Sequence, residues 1–578
     1  MRKLLLPLVA LALLQGSARP ADRLDRFVIS QMERRGISGV SLAIVDHGRI
    51  VAARGYGVTD PREDRRVDPA TLFQAGSISK PVSAIAALHL VEEGRLELDA
   101  DVNRTLKSWR LPPSDFTAKR PVTLRGLLSH TAGLTVHGFP GYDADSVAPT
   151  LVQVLDGAPP ANTEPIRSES TPGTAWNYSG GGYTILQQMM IDATGQEFPE
   201  LMRQSVLAPL GMANSSFDQP LPPWLAARTA AGHYGDRSAV HGRWHVYPEM
   251  AAAGLWTTPN DLARFVIGLQ RAYTGRSNGV ISPAMAKQML TVQKAGFGLG
   301  LSVEGGGKTL RFGHNGRDEG FDALLVATAE TGQAFVLMMN ANDDSRFKSR
   351  VLEFVVREYG WPGGPEYRAP EAVAIAATQV QAATGLFDRG DGGFVTLVAR
   401  DRRLFTSVDG GIDEEFVPLG PDRFASTERD LRLGFERDAS GAITAMTMTS
   451  RDGADTLPRL GPLFRDEHSE TPLEPGAAAR ADSVLRAMSQ GGDAMRSAGG
   501  LAPGARSDFG TGAWPPVSGL TGVSCSVASR VSEGRVVRHG GRVARVGYCR
   551  VGTRNGERRV LVSFTSDNLV TDVDVVDE

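Results

Sequence analysis

The stretch Thr71–Leu96, TLFQAGSISKPVSAIAALHLVEEGRL, constrains this chain more than any other. After Pro81 the apolar residues Val82, Ile85, Ala86, Leu88, Leu90 and Val91 recur at helical spacing, which predicts a buried helix. Gly94 is placed to end it, and Pro81 falls early enough to be tolerated. Ser77 stands at or just before the first turn. Residues three apart share a helix face, so the Lys80 amine meets the Ser77 hydroxyl. The helix start adds N–H groups and a positive dipole end beside that hydroxyl. A local base next to donors for a developing oxyanion is what an activated serine requires. The plainer reading of Ser-x-x-Lys is a helix cap at Ser77. Against it stands the apolar character of the helix, which buries Lys80 and lowers its pKa toward that of a useful base.

The chain of 578 residues is long enough for three or four domains. A net charge of -3 gives no sign of a nucleic-acid or anionic membrane partner. Met1–Ala18 reads as a signal peptide, with Arg2 and Lys3 ahead of an apolar Leu4–Leu14 and a small-residue site at Gly16-Ser17-Ala18. The expected location is therefore periplasmic or secreted, with no membrane span once the signal is removed; the plainer alternative is an uncleaved N-terminal anchor. Cys525 and Cys549 lie in strand-like segments. A disulfide and two buried thiols are both compatible with that setting. Two cysteines do not make a dedicated thiolate zinc site.

In chain order, Asp22–Arg35 predicts an amphipathic helix, and Gly39–Gly57 a hairpin turning at Asp46-His47-Gly48. Helical patterns follow to about Glu200. Strand-like runs come at Ala295–Val303, Phe321–Thr328 and Ala334–Asn340, with a helix at Arg346–Tyr359. Strands at both ends and helices between predict an α+β layer, an antiparallel sheet flanked by helices with a helical subdomain, over 22–362. Trp361–Pro365 opens a linker. Short alternating runs divided by Gly/Asp turns then predict a small all-β barrel or sandwich over 370–462, its acidic residues acting as turn-formers. A polar linker, Arg465–Arg480, precedes a short helix at Ala481–Met488 and more strands, a small α+β domain over 478–578.

Three further clusters fall in the first domain. In VTLRGLLSHTAGL, Ser129 and His130 are adjacent and do not face each other, so His130 is expected to bond backbone within a structural loop. In PGTAWNYSGGGY, Tyr178 heads a glycine run that lets backbone approach a ligand. A phenol near an ammonium is easier to ionise and able to take a serine proton; the plainer reading is a core tyrosine with a bonded hydroxyl. In RFGHNGRDEGF, Gly316 would let a substrate backbone lie on a strand edge, with the N–H of Arg317 aimed at an acyl oxygen. His314 there would be a donor whose charge changes near neutral pH, or else an exposed histidine in a hairpin turn.

Taken in order, Ser77-Ile78-Ser79-Lys80, VTLRGLLSHTAGL, PGTAWNYSGGGY, Ala253–Leu262 and His314-Asn315-Gly316 resemble the serine β-lactamase superfamily. The context resembles its class C β-lactamase, DD-peptidase, D-aminopeptidase and esterase branch, over roughly 22–360. The resemblance implies Ser77 as the acylated nucleophile, with Lys80 and Tyr178 sharing the proton work, and leaves open which is the base. It implies an oxyanion hole from the N–H groups of Ser77 and Arg317, contacts from His314, Asn315, Gly316 and position 180, and neither metal nor cofactor. Two departures stand out. Gly180 replaces the asparagine of a Tyr-x-Asn motif, whose amide helps hold an acylamide. His-Asn-Gly replaces the Lys-Thr-Gly of efficient β-lactamases, which disfavours a resistance enzyme. The all-β module is similar in kind to the accessory barrels of some D-aminopeptidases and related hydrolases, modules that can border the active site and restrict substrate size.

The reading that follows is a secreted serine hydrolase forming an acyl-enzyme on small esters, D-amino-acid amides or peptide fragments. Its rivals are a penicillin-sensitive DD-carboxypeptidase or endopeptidase acting on peptidoglycan, and a non-catalytic binding protein on the same scaffold.

Overall fold

A computed structural model describes residues 20–578 except 235–238, 344–345, 362–368, 390–393, 401, 409–410, 451–452, 462–470, 491–493, 495–497, 503–504, 506–518, 529–542, 554–555 and 576–578. The expected signal peptide, residues 1–18, most of the expected linker that opens at Trp361–Pro365, and residues 465–470 of the expected linker Arg465–Arg480 lie outside the described residues.

A six-stranded antiparallel sheet organises the first part. Its strands are β1 (Gly39–Asp46), β2 (Arg49–Gly57), β3 (Ser302–Glu304), β4 (Arg311–Asp318), β5 (Phe321–Thr328) and β6 (Ala334–Met339), in the spatial order β2-β1-β6-β5-β4-β3. His47 and Gly48 both have positive φ, 49° and 70°. That is the twist a two-residue hairpin turn needs to join β1 to β2.

Both faces of the sheet are covered, so its central strands are apolar throughout. All six residues of β6 are buried. Alternate residues Phe335, Leu337 and Met339 pack with Val40, Leu42 and Ile44 against helices α1 (Pro20–Arg35) and α5 (Phe347–Glu358). Those helices offer Leu24, Val28 and Met32, and Phe347, Val351 and Val355, at four-residue spacing. The other set, Val336 and Met338 with Ala43 and Val45, faces the larger core around α2 (Ser79–Glu92), α3 (Gly180–Thr194) and α4 (Pro259–Tyr273). Helix α2 is buried on nearly every side, and Gly94 beyond its end has φ of 70°. This is the α+β arrangement expected from the sequence.

One expectation needs correction here. Ala295–Val303 is not a strand: positive φ at Ala295, Gly296 and Gly300 turns the chain repeatedly, Phe297 makes isolated bridges to Lys294 and Ser302, and the regular strand is Ser302–Glu304, paired with β4. Tyr178 lies in a non-helical segment, and the glycine run after it forms the first turn of α3, capped by the Ser179 hydroxyl.

Eight antiparallel strands between Gly385 and Gly461 close into a barrel, the last pairing with the first through Leu386↔Gly461 and Phe387↔Arg459. Phe387, Phe416, Phe424 and Phe435 fill it. Among the described residues its ion pairs with the first part run to α1, to α5 and to Arg346 just before α5. Arg350 Nε lies 2.6 Å from Glu428 Oε2, and an Arg35 guanidinium N–H donates to the Asp413 carbonyl at 3.1 Å. Burial pushes Glu428 up to about 7 and Arg350 down to about 10.

The last part is a helix, Pro475–Gln490, on a four-stranded antiparallel meander, Leu520–Val527, Arg545–Thr553, Gly556–Phe564 and Val570–Val575. The helix starts inside the expected linker because Ala477 and Ala481 are small enough to sit against the sheet. Cys525 and Cys549 face each other across neighbouring strands and are disulfide-bonded. Among the described residues no helix is long and apolar enough to cross a membrane.

Candidate active site

Main-chain packing seats Ser77. The residue lies in a short 3-10 turn, Gly76–Ile78, that leads into α2. Gly76 has φ of +51°, and a Cβ there would fall 2.4 Å from the Arg317 nitrogen. A Cβ on Gly316 would fall 2.0 Å from the Ala75 carbonyl oxygen. Only glycine permits either approach. Gly316 thus serves the contact between β4 and the chain leading to Ser77, which corrects the expectation that it makes room for a substrate backbone. The same contact brings the Arg317 main chain beside Ser77. The Arg317 side chain turns away to Asp322, with Nε 2.8 Å from Oδ1. Asn315, between them and His314, is exposed.

Hydrogen bonds lock the turn from the other side. Ser79 Oγ donates to the Gly76 carbonyl at 2.6 Å and accepts from the Leu255 N–H at 3.0 Å. The Gly76 N–H donates to Asp318 Oδ2 at 3.2 Å.

Lys80 is buried, with 3% of its surface exposed. Its Nζ donates to Ser77 Oγ and to the Ala252 carbonyl, each at 2.9 Å. Burial brings the amine down to about 7, against the opposing pull of the Asp318 carboxyl. A neutral amine keeps an N–H for Ala252 while offering its lone pair to the serine proton.

The Tyr178 phenol shares a hydrogen bond with the Ser77 hydroxyl, and Lys80 Nζ stands 5.0 Å from its ring centroid. Contrary to the expectation of an easily ionised phenol, burial raises Tyr178, and the bond to Ser77 offsets this only in part. His314, its ring 6.1 Å from that of Tyr178, also departs from expectation. Burial first, and then the Lys80 charge, push it down to about 4, so it is neutral at pH 7 and does not switch there.

His130 accepts a bond from the Ser179 N–H at 3.1 Å, the backbone contact expected of it, while Ser129 Oγ donates back to the Arg125 carbonyl at 2.7 Å. In addition the His130 ring lies against Tyr178, centroids 4.2 Å apart. Burial holds this imidazole well below its ordinary value, which keeps Nδ1 an acceptor.

Two residues at the site had no individual role in the sequence reading, although loops such as Phe139–Ser168 were expected to set specificity. Asp318 has a local signal: it shares a strand face with His314 and Gly316 at two-residue spacing. Phe139 has none. Its partly buried ring lies against Gly180, where an ideal Cβ would sit 2.9 Å from Phe139 Cε2.

Residues 24–356 match the family model described as Beta-lactamase. Among curated relatives, a penicillin-binding protein of Bacillus subtilis is 23% identical over 435 residues, 70% of this chain and 91% of its own. Esterase EstB of Burkholderia gladioli is 32% identical over 218 residues, 36% of this chain and 55% of EstB. The D-aminopeptidase of Gluconobacter oxydans is 25% identical over 384 residues, 64% and 67% of the two chains. In fold, the structure is similar to an octameric penicillin-binding protein homologue from Pyrococcus abyssi, with TM-score 0.52 at 20% identity, covering 76% of this chain and 99% of that one. With more than half its length matched by that model, and with the Ser-x-x-Lys turn seated against β4, this chain belongs to the beta-lactamase family of hydrolases.

Proposed function

We propose that the protein is an exported serine hydrolase that acylates Ser77 with a small ester, a D-amino-acid amide or a peptide fragment and releases the acyl group to water. One observation carries the reading: a buried amine, brought by its surroundings to about 7, lies 2.9 Å from a serine hydroxyl that also bonds a phenol. In this reading Ser77 Oγ attacks the acyl carbon and its proton passes to neutral Lys80. The oxyanion lies between the N–H groups of Ser77 and Arg317. The leaving group takes a proton through the Tyr178 phenol and departs. Water then attacks the Ser77 ester, and the proton it releases returns to the serine oxygen by the same groups. Because Tyr178 is held protonated by burial, it fits the part of relay and Lys80 that of base.

The disulfide fits an oxidising compartment, which agrees with the apparent signal at Met1–Ala18. A second reading, a penicillin-sensitive carboxypeptidase or endopeptidase on peptidoglycan, draws on His314 in the third motif and on the penicillin-binding relatives.

Intact-mass spectrometry after exposure to an aryl ester, a D-alanyl anilide and benzylpenicillin separates the readings. An adduct or turnover that disappears in Ser77→Ala supports the proposal. A long-lived penicillin adduct at Ser77 favours the second reading, and labelling that persists in Ser77→Ala removes the nucleophile.

A further inference from the structure

We propose that Phe139 forms the wall of the acyl-binding corner beside Tyr178, in the space a side chain at position 180 would otherwise fill, and so selects esters with apolar acyl groups over acylamides. This rests on the acyl-enzyme reading above and adds the substrate class.

The placement follows from the backbone. Ser179 is extended, with φ −137° and ψ 117°. Residues on either side of an extended residue point the same way, so position 180 faces the same side as the Tyr178 ring. Ser179 points the opposite way, its Oγ donating to the Thr135 carbonyl at 3.0 Å and accepting from the Gly182 N–H at 3.0 Å. Gly180 therefore presents a bare Cα toward the cleft. A Cβ there would lie 2.9 Å from Phe139 Cε2 and 3.3 Å from Cδ2. Glycine at 180 and the ring at 139 are one fitted pair.

The main chain that carries the ring is held on both sides. The Gly181 N–H donates to the Val136 carbonyl at 2.9 Å, and His137 Nδ1 bonds the Tyr178 carbonyl at 2.5 Å. On the far side of Phe139, His245 Nδ1 bonds the Pro140 carbonyl at 2.7 Å and Asn162 Nδ2 donates to the Gly141 carbonyl at 2.8 Å. Other rings surround the phenol: Trp176, centroid 6.4 Å from Tyr178, and Phe297, 5.9 Å from Trp176, beside the imidazoles of His130 and His314. Trp176 is 37% exposed and so stands at the rim.

An acyl chain lying in this corner meets the ring carbons first, with the His137 carbonyl oxygen 3.5 Å from where a Cβ at 180 would sit. An amide group carried by the acyl chain would lose water there and find no side-chain donor for its carbonyl from position 180 or 139, a loss of roughly tenfold to a hundredfold in kcat/KM.

The test is a series of p-nitrophenyl esters, acetate to octanoate, and an N-acylaminoacyl ester, measured with wild type, Phe139→Ala, Phe139→Leu, Gly180→Asn and the double variant Phe139→Ala/Gly180→Asn. Wild type should favour the longer alkyl esters over the acylamino ester by about tenfold or more. Phe139→Ala should flatten that preference, and Phe139→Leu should keep most of it. Gly180→Asn alone should lose activity through collision with the ring, and the double variant should recover turnover with a preference shifted toward the acylamino ester. Relative rates across the series that are the same in wild type and Phe139→Ala would overturn the inference, as would an active Gly180→Asn with an unaltered profile. Labelling of Ser77 by an aryl phosphonate is run alongside. If wild type is not labelled, the acyl-enzyme reading itself fails; if it is labelled and the chain-length profile ignores residue 139, only the present inference does.

Discussion

Replacing Lys80 with methionine tests the electrostatics of the cleft directly. The buried amine has its pKa at about 7, against an ordinary 10.5. In the window between those values the unfolded chain binds more protons than the folded one, so stability rises with pH there. Below the window both states carry the charge, and its burial weakens the fold by about 1.4 kcal/mol for each of about three and a half pH units, on the order of 5 kcal/mol. Above the window both states are neutral and that penalty is gone. Methionine fills similar volume without charge, but leaves the buried Ala252 carbonyl without its 2.9 Å partner, which costs about 1–3 kcal/mol at any pH. The balance is a variant more stable than wild type by about 2–4 kcal/mol near pH 6, with the advantage shrinking on the alkaline side and reversing between about pH 8 and 10. Urea denaturation of both proteins at about pH 6, 8 and 10 measures this, with Ser77 labelling by a phosphonate expected to vanish in the variant. A Lys80→Met protein less stable than wild type near pH 6, or a stability difference that ignores pH, would refute the reasoning.

Other outcomes follow from the same structure. Wild-type kcat/KM for an aryl ester should rise with pH through about 7 as Lys80 loses its proton, and show no inflection from His314 above its value of about 4; a profile flat from pH 5 to 9 would contradict the base assignment. Gly76→Ala places a Cβ 2.4 Å from the Arg317 nitrogen at φ +51°, and should cost about 3 kcal/mol or more in denaturation and abolish phosphonate labelling; a fully labelled variant would show that the turn tolerates displacement. Arg350→Met removes the partner 2.6 Å from Glu428 at the junction of α5 and the barrel. It should destabilise by about 3 kcal/mol above pH 7, and by less at lower pH as Glu428 takes up a proton, read as the shift in urea midpoint at pH 8 and pH 6.

The parts of the fold legible in the sequence are those where one local rule decides the outcome. The β1–β2 hairpin needed only His47 and Gly48 between alternating strands, and α2 only its apolar run and Gly94. The meeting of Ser77 with Lys80 is likewise a matter of helical spacing. Where the sequence misled, a tertiary contact had overruled a local pattern. Ala295–Val303 alternates like a strand, yet left-handed residues fold it into turns that bury Leu299 and Leu301. Gly316 resembles an opening for substrate, yet its neighbour is the Ala75 carbonyl. His314 and Tyr178 carry ordinary titration values as residue types, and burial, which no short motif encodes, is the largest cause moving each of them, joined at His314 by the Lys80 charge. Phe139 was invisible because its partner, Gly180, is 41 residues further along the chain and has no side chain to complement.

The contact between the Ala75–Gly76 segment and the edge of β4 has a consequence for how such a site changes over generations. It is made by peptide groups that Gly76 and Gly316 alone let approach, so while those two glycines are kept, drift in the other surrounding side chains leaves the reactive oxygen where it was. The loop carrying Phe139 has the opposite character, since it touches the cleft through one replaceable ring. Novelty in what is cleaved can therefore accumulate in that loop while the machinery of bond-breaking is inherited whole.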